Sequence, residues 1–185
     1  MAEASAPEFR LARVGGLQVI VTPMAAVGTL LLGAVFFSIG RFAFNQGNVA
    51  AIVGGVALAY LHWLSELVHH LGHNAAARRA GHPMTGIRLG FLLVLSISVY
   101  PPDEPTLAPE VHIRRALGGP AASALLTVVI GLLALVFAGG GIGWVLLVWF
   151  LDNLLVFTLG SLLPLGFTDG TTLLHYLRHR NAGAQ

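Results

Sequence analysis

The chain has no cysteine and no lysine among its 185 residues. Without cysteine there are no disulfides and no thiolate metal ligands, so any bound metal must rest on His, Asp or Glu. Charge of either sign is scarce. Only 10% of residues are charged, against roughly a quarter in a soluble domain. With 56% hydrophobic residues and a mean hydropathy of +0.79, that scarcity excludes an ordinary soluble domain and places the chain in a lipid bilayer. The pI near 9.7 comes wholly from arginine, and the net charge is only +2. Because the arginines sit at the ends of apolar segments, they read as determinants of membrane orientation, and no nucleic-acid partner is expected. The first ten residues carry Glu3 and Glu8 and lack a basic leader region. A cleaved signal peptide is therefore not expected, and the first apolar span is expected to stay as an anchor.

What is abundant is apolar sequence in long runs. Four segments, at 23–40, 48–73, 120–139 and 142–164, approach or exceed the roughly 20 residues needed to cross a bilayer. Arg10 and Arg13 precede the first. Arg78, Arg79, Arg88, Arg114 and Arg115 lie between the second and third, and Arg178 and Arg180 follow the fourth. The opposite side has Arg41 alone, so both termini are expected in the cytoplasm. Residues 1–22 form a cytoplasmic lead-in in which Leu17, Val19 and Val21 alternate as a short strand. The second span is expected to continue as helix to Arg79, with Gly81 as its cap and Pro83 just beyond. Gly86–Tyr100 is short for a span, and its Leu95-Ser96-Ile97-Ser98-Val99 alternation favours a hairpin over a buried helix. Residues 165–185 read as a turn and a cytoplasmic tail. The fold class is thus an all-α polytopic membrane protein, with about four transmembrane helices and a small β-strand or hairpin element at the cytoplasmic membrane edge. It forms a single membrane domain over 1–185.

The second span ends in His69-His70-Leu71-Gly72-His73. Two histidines four apart share a helix face and suit one zinc ion. Zinc-protease helices carry H-E-x-x-H, with a glutamate directly after the first histidine; here that position is His70. At about 100° per residue, His62, Glu66, His69 and His73 fall within a sector roughly 60° wide, with His70 some 40° beyond. Such a stripe in an apolar helix must face protein, water or metal. Asp152, midway along the fourth span, reaches a depth comparable with His62, and the two are expected to pair. His82, His112, His175 and His179 lie near loops or the cytoplasmic boundary and read as surface residues. Arg78-Arg79 and Arg114-Arg115 read as topology determinants.

Several stretches resemble one family. Residues His69–Gly90, HHLGHNAAARRAGHPMTGIRLG, are similar to the metal-binding segment of the site-2 proteases, which are intramembrane zinc metalloproteases. Arg115–Leu126, RALGGPAASALL, resembles the A-G-P-containing start of that family's next helix. Leu162–Gly170, LLPLGFTDG, resembles its N-x-x-P-x-x-x-x-D-G motif, and Phe9–Pro23 resembles the amphipathic lead-in of bacterial members. The resemblance implies His69, His73 and Asp169 as ligands of Zn2+, with Pro164 and Gly166 interrupting the fourth helix to turn the carboxylate inward. It also implies an integral protein of a bacterial cell membrane that cuts transmembrane segments of other proteins. Two positions depart from the pattern: His70 replaces the glutamate, and Ser161 stands in the place of the motif's asparagine.

Loss of the glutamate removes the usual proton carrier, whose contribution is typically about 10²–10⁴-fold. Replacement bases, in order of preference, are His70, then Glu66 one helical turn back, then Asp103 or Glu104 from the Pro101–Pro105 loop. His62, Asp152 and Ser161 are expected to support the ligands from behind. Three readings follow: an intramembrane zinc endopeptidase, a non-catalytic zinc-binding relative in which His70 closes the site, and a metal or proton transporter. The absence of a repeated half makes the transporter the weakest.

Overall fold

The computed structural model describes residues 8–182; residues 1–7 and 183–185, including Glu3 and both chain ends assigned to the cytoplasm, lie outside the described residues. Strands β1 (Phe9–Val14) and β2 (Leu17–Val21) precede helix α1 (Pro23–Ser38), which ends in a wide turn over Ile39–Ala43. Helix α2 spans Asn48–Arg79, followed by β3 (Gly86–Leu92) and β4 (Leu95–Val99). Helices α3 (Pro109–Val136) and α4 (Gly143–Asp152) come next. The chain then widens over Asn153–Leu159, tightens over Gly160–Leu162 and ends in α5 (Asp169–Ala182). Four stretches, Pro23–Ala43, Asn48–Arg79, Pro109–Val136 and Gly143–Leu162, are long and apolar enough to span a membrane.

Helix α3 begins at Pro109, eleven residues ahead of the expected 120–139 segment, and carries Pro120 in its interior. Pro109 and Glu110 open it, as a proline at the first helical position and an acid in the first turn favour. The residues expected as tail fold as α5, with Asp169 in its first turn.

The chain divides into two compact units. One contains Met84–Pro101 and the chain up to Tyr60; the other contains Leu61–Pro83 and the chain from Pro102 onward. In the first unit the strands form one sheet in the order β1-β2-β3-β4. The hairpins β1–β2 and β3–β4 are antiparallel, and β2 pairs parallel with β3 in the register Val19↔Ile87. Gly15 and Gly16 close the first hairpin with φ of 58° and 84°, the doubly positive turn that matches strand twist and that glycine adopts without strain. Parallel pairing needs a long crossover, and the intervening helical chain supplies it. Val19 and Ile87 are buried, whereas β1 is exposed along most of its length.

In the second unit, Gly72 of α2 and Gly118 of α3 meet back to back. A Cβ on either would lie 2.3 or 2.5 Å from the other's carbonyl oxygen. Small residues at such a crossing let helices approach closely where lipid offers no hydrophobic driving force. That contact sets the ends of α2 and α3 side by side, and the site forms there.

Candidate metal centre

Three side chains converge at this crossing. His69 Nε2 lies 3.0 Å from His73 Nε2 and 3.1 Å from Asp169 Oδ2, and His73 Nε2 lies 3.3 Å from Asp169 Oδ1. Among the described residues, His69, His73 and Asp169 are the group of three or more whose donor atoms could hold a metal ion. Donors placed about 2.0–2.1 Å from a tetrahedral zinc are separated by about 3.3–3.4 Å, so the observed triangle is close to the size required.

The hydrogen bonds on the far side of each ring decide which nitrogen faces the centre. His73 Nδ1 lies 2.8 Å from the Arg115 carbonyl oxygen. A carbonyl can only accept, so Nδ1 carries the hydrogen and Nε2 presents a lone pair. The Gly119 N–H approaches the same atom more loosely, at 3.3 Å. His69 Nδ1 lies 3.0 Å from the Ser123 hydroxyl, which can accept from Nδ1 and so leave a second Nε2 lone pair facing the centre. Bare nitrogens and a carboxylate facing one another at 3.0–3.3 Å repel unless a cation or protons lie between them.

The floor of the centre is Gly119. A Cβ there would fall 2.5 Å from His69 Nε2 and 2.4 Å from His73 Nε2. Any side chain would fill the space an ion needs, so the donor set and the void it surrounds both fit a bound metal. Pro120 follows at once and removes one helical N–H, which loosens the turn that receives His73.

Asp169 reaches this point because the fourth span stops being a regular helix. After Leu162 the backbone runs unwound to Thr168, with Gly166 at φ 93°. Gly166 N–H donates to Thr171 Oγ1 at 2.8 Å, and Thr168 Oγ1 donates to the Leu163 carbonyl. Burial by itself would raise the Asp169 carboxyl, but when protons take the place of a cation at Nε2, hydrogen bonds from His69 and His73 hold it down to about 2.

The two foremost base candidates are paired with each other: His70 Nε2 lies 3.2 Å from Glu66 Oε2, both side chains being buried. The His70 ring centroid is 5.7 Å from those of both His69 and His73. Glu104 is committed elsewhere, to Arg115, whose guanidinium holds its carboxyl below the usual range. Arg115 itself is buried and also donates to the His82 carbonyl at 2.6 Å, so it anchors the Pro101–Pro105 loop.

The residues expected to support the ligands sit less simply. His62 Nδ1 lies 3.1 Å from Asp152 Oδ2, which brings those two together. The His62 ring packs 4.9 Å from Phe157, whose ring is 6.1 Å from His69, so an aromatic side chain neighbours both. Ser161 donates to the Phe157 carbonyl at 2.8 Å, within its own helical stretch. Support for His69 comes instead from Ser123, whose carbonyl in turn accepts from the wholly buried Asn153 at 2.8 Å. Ser123, Gly119 and the Arg115 carbonyl are the members that sequence reasoning missed. The adjacent Gly118-Gly119-Pro120 was the one local sign of a close approach.

The fold and this site define a polytopic helical membrane protein with a buried His–His–Asp centre. No family model and no curated protein matches the chain. Among solved structures, the chain shares its fold with the site-2 protease from Methanocaldococcus jannaschii. The TM-score is 0.61 and the identity 18%, over 94% of this chain and 73% of that one.

Proposed function

We propose that this protein is an intramembrane zinc metalloprotease that cleaves transmembrane segments of membrane proteins, with the Glu66–His70 pair in place of the usual glutamate. The observation that carries the reading is the convergence of His69, His73 and Asp169 on the void above Gly119, at the end of a membrane-spanning helix. A bound zinc ion supplies Lewis-acid polarisation of a peptide carbonyl and lowers the pKa of a water. The chain's own residues orient and move the proton. The Arg115 carbonyl and Ser123 fix the two imidazoles with Nε2 inward, and Asp169 offsets charge. His70 accepts the proton from water and returns it to the leaving amine. A nearby cation disfavours the imidazolium, and Glu66, 3.2 Å away, compensates for it. The helical spans place the protein in a bilayer, and we assign it to a bacterial cell membrane with both termini cytoplasmic.

The second reading, a zinc-binding relative without proteolysis, is favoured by the same contact. If Glu66 and His70 serve only to neutralise each other in a buried site, neither acts as a base. Purified protein reconstituted with zinc and a labelled transmembrane peptide separates the two. Cleavage that His69→Ala abolishes supports the protease. Cleavage that appears only in His70→Glu establishes the non-catalytic relative. A protein that moves zinc into sealed vesicles without cutting would overturn both in favour of transport.

A further inference from the structure

The sequence places four further histidines at the surface, and the structure pairs two of them on one turn of α5. His175 and His179 are four residues apart and both exposed, with ring centroids 4.2 Å apart. For comparison, the buried rings of His69 and His73 stand 4.7 Å apart and bring their Nε2 atoms within 3.0 Å. The surface pair therefore has ample reach for a shared ion. His179 Nδ1 lies 2.8 Å from the His175 carbonyl oxygen. It must donate there, which leaves the His179 Nε2 lone pair free of the helix and the ring fixed in direction. The helix is itself held in place, because Tyr176 stacks flat on His112 of α3 at 4.0 Å and 2°.

We propose that His175 and His179 form a second, solvent-facing metal site that takes an imidazole-preferring divalent cation (Cu2+, Ni2+ or Zn2+), with water completing the coordination. Two neutral nitrogens without a carboxylate suit such ions and not Mg2+ or Ca2+, which need oxygen donors. Arg178 is exposed beside the pair, and its positive charge keeps the site weaker than the buried centre. His175 and His179 follow Asp169 by six and ten residues, about 9 and 15 Å along the helix axis. The two sites are thus separate, and this one stands whether or not the protein is a protease.

The test uses the untagged full chain in detergent, with His69→Ala and Asp169→Ala disabling the buried centre, titrated with Cu2+. One ion per chain is expected, with a paramagnetic resonance spectrum showing two nitrogen ligands. His175→Gln or His179→Gln should each remove one nitrogen and weaken binding about tenfold or more. A stoichiometry and spectrum unchanged in the His175→Gln, His179→Gln double variant would overturn the proposal. The same pair of substitutions in the otherwise unaltered chain provides a check independent of the buried centre. Loss of one of two bound ions supports the surface site, and retention of both refutes it.

Discussion

Helices α1 and α2 are both apolar enough for a bilayer, yet α1 and the last five turns of α2 handle polar groups in opposite ways. In α1, Thr29 and Ser38 donate back to the Ala25 and Ala34 carbonyls at 2.7 and 2.8 Å, within their own helix. Large side chains such as Leu30 and Val35 are exposed around it, as expected for a lipid-facing span. In α2 from His62 onward, His62, Glu66, His69, His70 and His73 are all buried. His62, His69 and His73 find partners on α3, α4 or α5, and Glu66 and His70 find each other. A hydroxyl that closes on its own turn costs little and says little about function. An ionisable group that needs a partner from another element is expensive to keep in a membrane, and that expense marks the site.

The sharpest way to break the contrast is a methyl group. Gly119→Ala puts a carbon about where an ion would sit, so zinc retention should fall to near nothing, measured as bound metal per chain after gel filtration. A milder change leaves the ligands in place. Ser123→Ala removes the partner of His69 Nδ1 and should weaken zinc binding by about 10–100-fold, as loss of an outer hydrogen bond to a metal-bound histidine typically does. Competition with a chromophoric chelator reads that shift, and an unchanged affinity would show that Ser123 merely fills space. The smallest effect belongs to α1. A Cβ at Gly33 meets nothing within 4 Å, so Gly33→Ala should leave metal content untouched and raise stability by about 0.5–1 kcal/mol at most. A loss of zinc in Gly33→Ala would mean that the two helices are not as different as they look.

Much of the fold was legible because a bilayer leaves few options. Long apolar runs must be helices, and the alternation at Leu95–Val99 favoured a strand in a hairpin over a buried helix. Less legible was everything set by distant pairing. The parallel register of β2 and β3 joins segments separated by two helices, and β1 is too exposed to show a buried face. Helix α3 starts early because the polar turn Pro109–Arg115 lies outside any hydropathy signal, and α5 was hidden for the same reason. His62 and Asp152 were foreseeable as partners because both are costly at similar depth. Ser161 was misleading, since its motif position suggested contact with the site while its hydroxyl satisfies a local carbonyl.

The sequence by itself determined that this chain lives in a membrane and carries two histidines one turn apart on one helix face, because composition and helical period are local properties. Tertiary structure alone decided that Asp169 closes on them and that Gly119 leaves room for an ion. Each of those depends on where separate segments cross, and crossing points are fixed by packing that no single segment contains.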